Sequence, residues 1–327
     1  VNADLRSLIL ENLVLRQSDF KGAQLDGADL SALDLFQIDF SETSLKQADF
    51  RGADLTGADF RKADLRGADF SGANLQDANF NGADLQEAVL RETDLLEADL
   101  RDALCWKAVF QEADLWRADL RRAVLMDADF SGTNLMETDL RETNLQEADL
   151  TGARLIEANL RGSCLSNARL FRADLTEANL CEADLKGAVL DRARMQEADL
   201  RRADLQGASL READLWRTDF GKADLQGADL RQAVLMDAEL CRAVLWKADL
   251  TGADLTGADL SHSVLRSANL RRADLSRSVL TGAQMEGVKG LRFSQLIQVR
   301  SLHQAVLDPR LHHQIRKGCP HLRLPPG

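Results

Sequence analysis

No proline occurs in this 327-residue chain before Pro309, and only one of its five histidines, His262, precedes residue 300. No proline-rich linker therefore divides the long first part of the chain. No apolar run approaches the 18 or more residues of a membrane helix, which excludes a helical span. There is no glycine-rich phosphate-binding motif and no calcium-loop pattern, and His303, His312, His313 and His321 lack cysteine partners at zinc spacing. His312 and His313 are adjacent, so one helix cannot aim both at a single metal. Cys319-Pro320-His321 is too little for a site. No nucleophile, base and orienting group converge around His262. These absences argue against an enzyme; no catalytic residue, cofactor or metal is expected. Cys105, Cys164, Cys181, Cys241 and Cys319 form no disulfide framework and predict a reducing, cytoplasmic setting. The chain opens on Val1 and enters its pattern at once, which predicts that residues precede it.

What the chain has is a period. Every fifth residue from Leu5 to Met285 is apolar, 57 positions without insertion or deletion, and Leu or Phe fills nearly all of them. With that residue numbered i, position i−2 is small, usually Ala, and i−1 is most often Asp or Asn. The block 48-ADFRGADLTGADFRKADLRGADF-70 shows the unit A-(D/N)-(L/F)-x-x. An amphipathic helix needs apolar spacings of 3, 4 and 7, and a strand needs 2; five fits neither. Ala and Leu share a face over one short extended stretch, after which the chain bends. The spacing alone gives only a five-residue unit that must close; if four sides close it, a coil holds 20 residues. Coils stacking at the strand spacing of about 4.8 Å give roughly 14 coils over about 67 Å.

These residues resemble the pentapeptide repeat family, and the match covers residues 3 to about 287. The resemblance implies an all-β, right-handed quadrilateral β-helix, a β-solenoid of about 14 coils, over 1–287, with a helical capping tail over 288–327. It also implies a choice of functions, because one branch of the family inhibits DNA gyrase by imitating DNA, and because tails of this kind can pair two chains.

Phe20, Phe40, Phe60 and Phe80 are expected to stack on one side of the core, and Phe50, Phe70, Phe110 and Phe130 on the opposite side. Leu8, Leu13, Leu33 and Ile38 replace Ala at i−2, predicting widened first coils. In the tail, Ser294 is expected to cap a helix through Val299. Ala305-Val306-Leu307 reads as a displaced repeat, and Asp308-Pro309 opens a second helix ended by Gly318. This tail is read as a cap, or as a cap that also forms a homodimer contact.

The net charge is −12, with +6 after residue 287 and −18 before it. The face centred on i = 15, 35, 55 and so on carries −9. Duplex DNA would show roughly 40 charges over this length, so the acidity is low for a DNA mimic. A negative chain also disfavours direct binding of nucleic acid or anionic membrane. Arg61, Arg101, Arg121, Arg141, Arg161 and Arg201 read as compensation for stacked acids.

All four tryptophans sit at i+1 and precede a cation: Trp106-Lys107, Trp116-Arg117, Trp216-Arg217 and Trp246-Lys247. Twenty residues after three of them comes Met and then an acid, which predicts the rung pairs Arg117–Glu137 and Arg217–Asp237, with Met136 and Met236 over the indoles. Leu96, Trp116, Met136 and Ile156 fall on successive coils of one face, and Trp216 and Met236 share its register. These residues are read either as rung-to-rung braces or as a contact strip for another protein. The expected function is non-enzymatic: a scaffold, spacer or assembly factor, with a DNA-mimicking gyrase inhibitor as the alternative.

Overall fold

A computed structural model describes residues 15–318, which fall into two compact units, Val1–Arg169 and Leu170–Gly327. Leu8 and Leu13, and the residues from Cys319 onward, lie outside the described residues.

In both units the chain turns every five residues and pairs in parallel with itself 20 residues on, as in Asp99↔Asp119 and Asp229↔Asp249. One repeat accounts for all five of its backbone N–H groups, a requirement for any buried or half-buried backbone. Ala103 N donates to Leu100 O within the turn (3.1 Å), and Asp99 N donates to Ala78 O one coil back (2.9 Å). Leu100 N and Asp102 N donate one coil forward, to Asp119 O (2.7 Å) and Arg121 O (3.1 Å). That leaves Arg101 N, which donates to the Asp99 side-chain Oδ1 at 3.0 Å. The preference for Asp or Asn at i−1 follows: a short side chain there offers an acceptor to the fifth N–H, two residues on, although Val89, Leu104, Val109 and Val124 keep the ladder without one. Residues 229–233 repeat the pattern in the second unit, with Arg231 N on Asp229 Oδ1 at 3.2 Å.

Two of the repeats that lack Asp or Asn at i−1 recover the bond by another route. Ser44 and Ser209 occupy i−1 and are too short for the task. In each case an acid one coil back supplies the oxygen: Asp26 Oδ1 accepts Lys46 N, and Asp191 Oδ1 accepts Arg211 N, both at 3.1 Å. The serine hydroxyls donate to the same oxygens.

Position i+2 has φ between about 52° and 75° in repeat after repeat, whether it holds Gly, Glu or Arg. Most of these residues are not glycine, so the closed ladder overrides a local preference worth about 1–2 kcal/mol per residue.

The core is a column of i and i−2 side chains. In the first unit the phenylalanines stack along the coils, with centroids 4.7 Å apart for Phe50–Phe70 and 4.8 Å for Phe60–Phe80. The two columns meet edge-on, Phe60–Phe70 at 5.7 Å and 87°. Stacking loosens toward the start, where Phe20–Phe40 is tilted by 34° at 5.6 Å. In the second unit Phe220 is the one core phenylalanine among the described residues, and the ladder puts Leu200 and Leu240 on the coils either side of it.

Past residue 287 the ladder continues with two residues more per coil. Val279 pairs with Ser301 and Gln284 with Val306, and Ala305 and Leu307 are buried. The extra length is taken up by α1, Phe293–Leu296. Arg292, not Ser294, is its N-cap: Gln295 Oε1 reaches back to Arg292 N at 2.8 Å, and Gln295 Nε2 closes on the carbonyls of Leu270 and Ala273. α2, Pro309–Gly318, follows, with Ile315 buried. Asp308 Oδ1 accepts Gly287 N at 3.1 Å, tying the start of α2 to the last repeats.

Acid should loosen this fold. The Arg66 fork holds the Asp64 carboxyl below its ordinary value. At Asp99 burial opposes ionisation, yet the hydrogen bonds from Arg101 outweigh it and the net direction is again down. Depressed carboxylates contribute stability that is complete above their unfolded value, about 3.9, and lost as pH falls through the folded value. Melting temperature is therefore expected to be level from pH 7 to 5 and to fall below pH 4; a melt unchanged at pH 2.5 would contradict this.

Candidate protein-contact surface

The expected strip in the first unit is assembled by the ladder. Glu97 N donates to Trp116 O, Arg117 N to Met136 O and Glu137 N to Ile156 O, so Leu96, Trp116, Met136 and Ile156 occupy successive coils. Their span is about 14 Å. All four are half-buried rather than fully exposed. In the second unit Arg217 N donates to Met236 O, which places Trp216 and Met236 on adjacent coils; Met236 is 36% exposed.

Trp116 is held by two residues that also pair with each other. Arg117 Cζ stands 4.2 Å from the ring centroid, the indole N–H donates to Glu137 Oε1 at 3.2 Å, and Arg117 Nε lies 2.8 Å from Glu137 Oε2. The hydrogen bonds from Arg117 and Trp116 hold the Glu137 carboxyl below its ordinary value. Met136 Sδ accepts from Arg154 Nη2 at 3.0 Å. Trp106 repeats the arrangement with shorter partners: Lys107 lies 4.3 Å over its ring, and its N–H donates to Asp127 Oδ2 at 3.0 Å.

The second unit departs from expectation. Arg217 does not take Asp237 as its ion-pair partner; its Nη1 lies 3.7 Å from Glu197 Oε1 on the preceding coil. Asp237 is one methylene shorter than Glu137, and its carboxylate occupies the space that Gly257 leaves by having no Cβ. The longer acid one coil back is the better reach. Arg217 still stacks on Trp216 at 4.6 Å.

Two features escaped the sequence reading. Each Trp-cation dipeptide folds its cation over the indole, because φ > 0 at i+2 turns that side chain back; the signal was the dipeptide itself at a turn. The second is Leu104, 40% exposed, paired with Val124 and sharing its repeat with Trp106. An apolar residue at i−1, where Asp is the rule, was its mark.

Among the described residues no group of three or more His, Cys, Asp and Glu side chains could hold a metal. None of their helices is long and apolar enough to cross a membrane.

Fold and surface together define a β-solenoid built of five-residue units and displaying ordered aromatic side chains. The sequence matches the family described as Pentapeptide repeats (8 copies) in segments running from 1–32 and 34–72 through 233–272 and 258–289. The chain belongs to the pentapeptide repeat family, whose members fold as right-handed β-helices. Among solved structures it is similar to HetL, a pentapeptide repeat protein involved in heterocyst differentiation regulation from the cyanobacterium Nostoc sp. strain PCC 7120. The identity is 38%, covering 72% of this chain and 88% of that one, with a TM-score of 0.26. It is similar also to QnrB1, a plasmid-mediated fluoroquinolone resistance protein, at 19% identity over 61% of this chain and 98% of that one, with a TM-score of 0.32. Superpositions at these scores carry no argument; membership rests on the repeats and on the identity to HetL. No curated protein matches the chain.

Proposed function

We propose that this protein is a non-enzymatic scaffold, spacer or assembly factor, a β-helix of about 14 coils, that binds another protein through the Leu96–Trp116–Met136–Ile156 column. The observation that carries this is the locking of Trp116 by Arg117 and Glu137. A large aromatic held in one position loses little conformational freedom on binding, which is the character of an interface hot spot. The apolar column is flanked by charge, as contact patches are.

The same contacts would also serve as braces, and a double variant separates the two roles. Trp116→Ala with Ile156→Ser is expected to weaken partner capture from the native cell extract by about 30-fold or more, the scale of a lost hot spot of about 2 kcal/mol. Its circular dichroism and melting should stay close to the parent. Equal capture by both proteins, with a lowered melt, would make the column a brace only.

Imitation of DNA toward gyrase is the weaker account. Many acids are bound in arginine forks, Arg61–Asp59 at 2.5 Å and Arg141–Asp139 at 2.5 Å among them, and these do not present a bare array of phosphate-like charge.

A further inference from the structure

Arginine at i+1 has a recurring fate in this chain: it folds back on the Asp two residues earlier. Arg201–Asp199 (2.5 Å) and Arg231–Asp229 (2.6 Å) are examples in the second unit. At Arg271 the corresponding residue is Asn269. Its amide oxygen still accepts Arg271 N at 3.2 Å, so the turn is kept. Its amide nitrogen is committed to Asp249 Oδ1 (3.1 Å) and Thr251 Oγ1 (2.7 Å). Asn269 thus preserves the cap and withholds the charge, leaving Arg271 without a carboxylate in its own repeat.

More cations gather around it. Arg272 follows directly, and Lys289 pairs with Asn269 across the ladder. Gly290 brings the backbone so close that a Cβ there would stand 2.7 Å from Arg271 Cα, and Arg292 follows as the cap of α1. All four cations are exposed, and among the described residues none has an ion-pair partner. On the same face a groove of about 330 Å³ runs past Arg231, Gln232, Thr251 and Gly252 to Arg272. Thr251-Gly252 puts short side chains between the Arg231 and Arg271 coils, which opens the notch. The acids facing it are already engaged: Glu212 with Arg192 (2.9 Å), Asp191 with Arg211 (2.7 Å), Asp229 with Arg231, and Asp249 with the Asn269 amide.

We propose that this face of the second unit binds an acidic polypeptide segment, whose carboxylates enter the notch between Arg231 and Arg271-Arg272 and continue toward Lys289 and Arg292. Charge complementarity selects the occupant: Arg271, Arg272, Lys289 and Arg292 are uncompensated cations on a chain of net charge −12. A nucleic acid strand, longer than the groove and charged at every residue, would run onto acidic surface on leaving it. The site needs nothing from the Trp116 column, so failure of either proposal leaves the other standing.

The test uses the full chain and a fluorescent oligoglutamate peptide, read by anisotropy over a salt series. The parent protein is expected to bind, more weakly as salt rises. Arg271→Glu with Arg272→Glu should weaken binding by about tenfold or more, the effect of losing charge-assisted contacts. Asn269→Asp should weaken it about threefold by restoring the fork on Arg271. Asn74→Asp, which adds the same charge in the first unit, should match the parent. Melting curves verify that each variant is folded, and Arg272→Ala serves where the double variant is not. Undiminished binding by folded Arg variants, absence of binding by the parent, or tighter binding of oligothymidylate of equal charge would each overturn the proposal.

Discussion

Phe60→Ala is expected to lower the unfolding free energy by about 3–5 kcal/mol, and by more than Phe220→Ala. Both rings are fully buried. Phe60, however, stacks on Phe40 (5.4 Å) and Phe80 (4.8 Å) and meets Phe50 and Phe70 edge-on, both at 5.7 Å. Each ring pair adds about 0.5–1.5 kcal/mol beyond area burial, and truncation removes four of them. Phe220 loses only its packing against aliphatic neighbours. The solenoid also limits how the site responds, because a coil that collapsed into the hole would pull its hydrogen bonds off both neighbours. Chemical denaturation followed by circular dichroism gives the comparison. Equal losses at Phe60 and Phe220 would show that the ring contacts add nothing to burial.

Ala118→Leu should cost about 1–3 kcal/mol or more, although it adds hydrophobic surface. Ala118 is 1% exposed and sits where the chain bends: its N–H closes the turn on Leu115 O, and its carbonyl accepts Asp139 N. Both bonds fix the backbone, so three added carbons have nowhere to go without parting two coils. The i−2 column does accept Thr and Ser, because their hydroxyls find carbonyls. Thr138 Oγ1 donates to Leu115 O at 2.9 Å, and Ser278 Oγ to Leu275 O at 2.7 Å. It accepts Leu33, half-exposed, and Ile38, fully buried, only near the start, where the phenylalanine stacking is looser. Hydrogen exchange should show Ala118→Leu loosening the coils around residues 98–138 first, since each coil touches only its neighbours. A parent-like melt would mean that the corner has room the structure does not show.

The five-residue side was legible in the sequence because a period carries it that no local propensity can imitate; the four-sided, 20-residue coil, and with it the phenylalanine columns, came from the resemblance to the repeat family. The role of Asp at i−1 was harder to see. Read as charge it looked like a ladder of repelling acids; its exchange with Asn at positions such as 74, 79 and 269 points to an acceptor oxygen instead, and the fifth N–H explains why. At the surface, columns were legible but orientations were not. The pairing of Arg117 with Glu137, against that of Arg217 with Glu197, turns on one methylene and on a glycine in the next coil, which no period encodes. The Arg292 cap was hidden for a similar reason, since Gln295 acts through contacts with Leu270 and Ala273, a whole coil away in sequence.

The claim that the Trp116 column is where this protein meets its partner is tested most directly by site-specific photocrosslinking in the native cell. A photoreactive phenylalanine analogue would replace Trp116 in one strain and Gln146, on the opposite face of the same unit, in another. The account predicts one discrete adduct with another protein from position 116 and none from 146. Adducts of equal yield and identity from both positions, or none from 116, would contradict it.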